Sequence, residues 1–121
     1  MKYDDNFFDL VIIGGVFHWI DRSSLLLSVA KIDACLKFSG KLIIGDFQIP
    51  MFFKRRYAHI KGKEVYTYKA DYKKIFMSAG IYKEVATIAK DRERNFFSAD
   101  SSYDDCYSIS LLKKEDIYIE R

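Results

Sequence analysis

Residues 10–15 read Leu-Val-Ile-Ile-Gly-Gly, four apolar side chains in an unbroken row followed by two glycines. A strand with one wet face alternates apolar and polar residues. An unbroken row belongs instead to a strand buried on both faces, as in a parallel sheet flanked by helices. Gly14 and Gly15 mark a place where the backbone bends or comes close to something. A second run of this kind, Leu42-Ile43-Ile44, follows a segment of helical period. There Leu25, Leu26, Val29, Ile32 and Leu36 fall on one helical face, with Arg22, Ser24, Lys31 and Lys37 on the other. Asp21 is placed to cap the first turn, its carboxylate accepting from free amides. Ser39-Gly40 is expected to stop the helix, Gly40 taking a positive φ. Strand, helix and strand in this order make a parallel pair joined by a right-handed crossover.

The rest of the chain extends the sheet. Pro50, the lone proline, opens a connection over residues 48–65 with no clean period. A long connection in a compact domain is usually functional or mobile. An extended piece at Val65–Tyr68 precedes a helix over Asp71–Ala79, with Tyr72, Ile75, Phe76 and Ala79 on one face and Gly80 closing it. "KEVATIAKD" then alternates, Val85, Thr87 and Ala89 opposite Ala86 and Ile88. In "CYSISLLKK" Tyr107, Ile109 and Leu111 stand opposite Ser108 and Ser110. The polar "RERNFFSADSSYDD" between them reads as a connection between antiparallel strands. "EDIYIER" is either a strand extension or a fraying tail.

At 121 residues the chain is expected to form one domain, 1–121, with a real but modest core. Half of it is hydrophobic and 31% is charged, the make-up of an ordinary soluble globular protein. No apolar stretch approaches the ~18 residues of a membrane span, and no signal peptide is indicated. The cytoplasm is the expected location. Cys35 and Cys106 are expected to be buried free thiols, and neither has a spacing that suggests zinc or another metal. The net charge of +3 names no partner. Lys54, Arg55, Arg56, Lys61, Lys63, Lys69, Lys73 and Lys74 do cluster among Phe52, Phe53, Tyr57, Tyr66 and Tyr68. Such a stretch either grips nucleic acid or a phosphorylated ligand, or is simply a solvated face. The solvated face is the preferred reading.

Taken in order, these segments resemble the second half of a class I S-adenosylmethionine-dependent methyltransferase. Phe8-Asp9-Leu10-Val11-Ile12 resembles that family's fourth strand, and Phe17-His18-Trp19 the turn after it. Leu36-Lys37-Phe38-Ser39-Gly40 resembles its Leu-Lys-Pro-Gly-Gly helix ending, with Phe38-Ser39 in place of Pro-Gly. Lys41–Phe47 resembles the fifth strand, "DYKKIFMSAGIYKEV" the helix and turn before the sixth, and "YSISLLKK" the antiparallel seventh. The resemblance implies an α/β fold, a partial Rossmann-like sheet with strands in a 4-5-7-6 order, the last antiparallel. The family's glycine-rich loop and its ribose-binding acidic residue have no counterpart in these residues. Gly14-Gly15 is no substitute, because it lacks a third glycine and opens no helix directly.

The resemblance implies methylation, most simply of a small molecule, with S-adenosylmethionine as methyl donor. Gly14, Gly15 and Val16 would border the cofactor at the carboxyl ends of the strands. Phe17, Trp19 and Asp46 would stand at the substrate rim, and Tyr57, Tyr66 and Tyr68 could line a substrate pocket. His18 would take a proton from the acceptor, an imidazole being suited to that near neutral pH. Plainer roles stay open: His18 bonding a backbone carbonyl, Trp19 packing at the helix start, Asp46 capping the loop.

In that strand order Leu10–Gly14 is a bare apolar edge, a site for pairing. A second copy of the chain, a complementing chain carrying the first half, or the remainder of a parent protein is therefore expected to cover it. The alternative to an enzyme is a non-catalytic α/β module that works through this edge. Binding of RNA by the basic stretch is a third, weaker option.

Overall fold

The computed structural model describes residues 4–57, 62, 64–91, 96–98 and 106–121. Strand β1 (Phe8–Gly14) leads through a 3-10 turn at Phe17–Trp19 into helix α1 (Arg22–Cys35) and strand β2 (Leu36–Phe47). Strands β3 (Phe53–Arg56) and β4 (Tyr66–Lys69) form a separate antiparallel hairpin. After them come helix α2 (Lys73–Met77) and strands β5 (Tyr82–Asp91), β6 (Phe96–Ser98) and β7 (Cys106–Lys114). The main sheet runs β1-β2-β7-β5-β6. β1 and β2 are parallel, whereas β7 is antiparallel to both β2 and β5. The fold is thus mixed α/β, with the β1–α1–β2 crossover where the two apolar runs predict it. No helix among the described residues is long and apolar enough to cross a membrane.

The Asp21 side chain accepts from the Ser23 backbone N–H at 3.3 Å, so α1 begins as expected. It ends four residues sooner than the Ser39-Gly40 stop. β2 starts at Leu36, and the pairing jumps from Phe8–Leu36 to Leu10–Lys41, so the extra residues loop out within the strand. Ser39, not Gly40, carries the positive φ, at 70°. Gly40 is needed for closeness: a Cβ there would lie 2.6 Å from the Lys37 carbonyl oxygen. Lys114 completes the helix end. Its buried ammonium donates to the Asp33 carbonyl at 2.7 Å and the Leu36 carbonyl at 3.0 Å, and pairs with the Asp33 carboxylate at 3.1 Å. A cation at a helix C-terminus meets the unpaired carbonyls and the negative end of the dipole.

Both helices lie on one face of the sheet. Leu25, Val29 and Ile32 of α1 and Ile75, Phe76 and Met77 of α2 meet Val11, Ile13, Leu42, Ile44, Tyr82 and Leu112 in one core. Leu26, expected on the buried side, is 70% exposed, because the helix turns only its Leu25–Val29–Ile32 stripe to the sheet. α2 is shorter than the Asp71–Ala79 expectation and leaves Ala79 exposed, but Gly80 ends the segment with φ 73°. The expected alternation of β5 breaks at a bulge between Glu84 and Ala86, which turns Val85 outward. In β7 the serine side is the covered one: Ser108 and Ser110 are buried while Ile109 is exposed. Ser110 is satisfied there by the Thr87 hydroxyl at 2.9 Å. Cys106 is buried, but Cys35 at the end of α1 is only half-buried; the two form no disulfide.

Residues 96–98, expected as connection, form β6 on β5, while 92–95 and 99–105 lie outside the described residues. The final segment forms no strand. Tyr118 instead lies over Gly80, its hydroxyl donating to the Ala79 carbonyl at 3.1 Å.

The other face of the sheet has no helix over it among the described residues. Register places Ile12, Ile43, Leu111 and Ala86 in one row across four strands, with Gly14, Gly45, Ile109 and Ile88 in the row beside it. Ile12, Ile88 and Ile109 are each more than half exposed. A third row, Leu10, Lys41, Lys113 and Lys83, borders them with three positive charges.

Candidate functional site

The carboxyl ends of β1 and β2 lie side by side, Gly14 opposite Gly45. A chain leaving a parallel strand must turn there, and Gly15 does so with φ 65°. The turn drops at once into the 3-10 segment, whose Phe17 is anchored inward. Phe17 stacks on Tyr72 at 5.6 Å and meets Phe76 at 6.0 Å. It is therefore a core residue and not the rim residue expected, since the 3-10 turn points it under the hairpin. With Phe17 fixed, His18 is brought over the end of β2, where Asp46 is 1% exposed.

His18 and Asp46, read from sequence as separate rim residues, form one unit. The imidazole Nδ1 lies 2.9 Å from Asp46 Oδ1, and the His18 backbone N–H donates to Oδ2 at 3.3 Å. The Phe47 backbone N–H donates to Oδ1 at 2.7 Å. A carboxylate that already accepts from two backbone donors offers the ring a further acceptor, so Nδ1 is the nitrogen placed to donate and Nε2 is the one turned away from Asp46. Nε2 has no hydrogen-bond partner among the described residues and is not sealed from solvent. Trp19 at 5.2 Å and Phe47 at 5.1 Å hold the ring by its faces and edge. This arrangement suits a group that receives a proton from something arriving at Nε2.

The expected tyrosines divide. Trp19 is 43% exposed, lies 5.2 Å from His18 and meets Tyr57 edge-on at 4.9 Å. Tyr68 lies beneath the Arg22 guanidinium, 4.3 Å from ring centre to Cζ, and its carbonyl accepts from the Tyr72 hydroxyl. Tyr66 carries the Lys54 ammonium at 4.1 Å and has no contact with His18 among those resolved. Arg22, expected on the wet side of α1, instead ties the turn to the hairpin. It donates to the Phe17 carbonyl at 2.9 Å, the Ile20 carbonyl at 2.6 Å and the Tyr72 hydroxyl at 3.1 Å. Burial pushes the Tyr72 hydroxyl above its ordinary value, with Arg22 opposing. No spacing rule marks such a role for an arginine beside an N-cap.

The basic stretch is not one patch. Lys69 is buried against the Phe47 ring at 4.5 Å, and Lys73 bonds Gln48 at 2.8 Å and Glu84 at 3.0 Å. Lys61 and Lys63 lie outside the described residues. Among the described residues no cluster of His, Cys, Asp and Glu could hold a metal ion.

Gly14, Gly15 and Val16 are placed where a ligand's edge could rest. A Cβ on Gly14 would meet nothing within 4 Å, and Val16 is half-exposed. Tyr107 Oη closes the floor, 3.4 Å from where a Cβ on Gly15 would stand and 3.6 Å from one on Gly45.

No protein-family profile matches the sequence, and a search of curated proteins finds no match. The fold is similar to a solved structure of Burkholderia thailandensis 1,6-didemethyltoxoflavin-N1-methyltransferase with bound 1,6-didemethyltoxoflavin and S-adenosylhomocysteine. The TM-score is 0.67 at 14% sequence identity. The match covers 95% of this chain and 47% of that one, so the chain spans about half the length of that neighbour. The likeness is one of fold.

Proposed function

We propose that these residues form the acceptor-side half of a cytoplasmic S-adenosylmethionine-dependent methyltransferase acting on a small molecule, with His18 as its general base. The observation that carries this reading is the His18–Asp46 pair at the carboxyl ends of two parallel strands, where open α/β sheets bind ligands. S-adenosylmethionine, when bound, supplies an electrophilic methyl group on a sulfonium. Gly14, Gly15 and Val16 form the wall along which it lies. Trp19 and Tyr57 hold a flat acceptor beside His18 and exclude water. His18 Nε2 takes the proton that an acceptor N–H or O–H loses as it is methylated, and Asp46 holds the resulting imidazolium through Nδ1.

Titration of the 15N-labelled chain with S-adenosylhomocysteine tests this. Shifts centred on residues 14–16 are expected at millimolar ligand, weak because only one side of the site is supplied. A flat response would remove the cofactor from the proposal.

A second reading is favoured by the bare sheet. β1 pairs with β2 alone among the described residues, and Leu10 and Ile12 are 47% and 64% exposed. A second copy or a complementing chain covers this edge, in a working enzyme or a purely binding module. Light scattering across concentration should show association; a monomer with fast amide exchange over residues 10–14 would contradict it.

A further inference from the structure

The β3–β4 hairpin stands apart from the main sheet, and its two faces differ. On one face Phe53 lies opposite Lys69 and Arg55 opposite Thr67. That face is turned to the body of the protein: Lys69 and Thr67 are buried, and Phe53 packs against the Ile49, Ala89 and Cys106 cluster. On the other face Lys54 lies opposite Tyr68 and Arg56 opposite Tyr66. Directly paired residues share a face, so cations and phenol rings are interleaved across this surface. The Arg22 guanidinium occupies Tyr68, 4.3 Å from its ring centre. Lys54, Arg56 and Tyr66 remain, with Lys54 Nζ 4.1 Å from the Tyr66 ring centre.

This surface is open and its charge is not neutralised. Lys54, Arg55 and Arg56 are all exposed, and none pairs with a carboxylate among the described residues. Like charges crowded without acid partners repel, so they are not retained for stability. Lys54 and Arg56 stand two residues apart, about 7 Å along an extended strand. Phe52, two residues before Lys54, is 89% exposed, and its ring has no aromatic or cationic partner among the described residues. A free ring beside a line of cations is the arrangement by which proteins hold unpaired strands, the cations tracking phosphates and the ring stacking on a base. The basic stretch of the sequence thus reduces to these residues once Lys69 and Lys73 are drawn inward.

We propose that the outward face of the β3–β4 hairpin, with Phe52 at its edge, binds single-stranded nucleic acid. Lys54 and Arg56 hold the phosphates with Arg55 beside them, and a base stacks on Phe52. A duplex offers the same phosphates but no free base face, so the ring selects the unpaired strand. The proposal does not depend on methyl transfer, because it uses none of the residues given to cofactor or acceptor.

The test measures fluorescence anisotropy of a labelled twelve-nucleotide oligouridylate with the full chain between 50 and 200 mM salt. Saturable binding that weakens with salt is expected. Lys54→Gln with Arg56→Gln should reduce the slope of log affinity against log salt by about 1.4, the share of two phosphate contacts on a single strand. Phe52→Ala should weaken binding about tenfold at every salt concentration and leave the slope unchanged. All three side chains are exposed, so melting temperatures should match that of the parent. No saturable binding by the unmodified chain overturns the proposal, as does equal competition by a duplex of the same length. So does an unchanged slope in the double variant, or binding to phosphatidylserine vesicles in place of the oligonucleotide.

Discussion

At the scale of single residues, Asp46 and Tyr82 bear the sharpest consequences. Asp46 is buried and accepts from His18 twice and from Phe47 once. Asp46→Asn keeps the shape but can present an N–H to Nδ1, so the proton moves to Nε2 and the base is lost. The 15N shifts of the His18 ring should switch tautomer, and stability should fall by about 1–3 kcal/mol. Tyr82 donates to Asp33 Oδ1 at 2.7 Å, and burial, followed by that bond and the Asp33 charge, holds its hydroxyl well above the ordinary phenol value. A group raised in the folded state adds stability below its unfolded value of about 10 and loses it as pH climbs past that. Melting temperature should therefore drop steeply above about pH 10. Tyr82→Phe should flatten that drop at a cost of about 1 kcal/mol at neutral pH.

At the scale of elements, the junction between α1 and β2 is the place where local rules were outvoted. Ser39-Gly40 looks like a helix stop, yet α1 yields at Cys35 because Leu36 is drawn to full burial in the core. The two residues then divide the labour expected of one glycine. Ser39→Gly should stabilise, since an L-residue at φ 70° bears about 1 kcal/mol of strain that glycine avoids. Gly40→Ala should destabilise by about 1–3 kcal/mol, its Cβ being forced onto backbone at 2.6 Å. Urea unfolding of the two variants measures both, and a Gly40→Ala protein as stable as the parent would refute the close-approach argument. In β5 the alternation of "KEVATIAKD" was legible, but the bulge at Val85 was not, because bulges follow from the partner strand's register.

At the scale of the whole molecule, the covered face and the open face differ in what holds them. One carries both helices. The other presents Ile12, Ile88 and Ile109 with no cover among the described residues. The proposed association would use this apolar patch. Ile12→Lys combined with Ile88→Lys should reduce concentration-dependent association and dye binding while leaving melting temperature nearly unchanged. Unaltered association would place the contact elsewhere. By itself the sequence determined the first two strands, the crossover between them, the Asp21 cap and the Gly80 stop, because each depends on residues close in the chain. The expected burial of both strand faces fails in β1, where Leu10 and Ile12 are 47% and 64% exposed. The order of segments also carried the resemblance to a methyltransferase fold, and the fold is shared with a solved methyltransferase. Only the tertiary structure decided that His18 and Asp46, 28 residues apart, form one hydrogen-bonded pair, and that Phe17 belongs to the core. It alone showed Arg22 clamped between turn and hairpin, and the serines of β7 facing inward. The physical reason is that periodicity reports which residues share a face, whereas burial, partnership and vacancy depend on what the rest of the chain brings against that face.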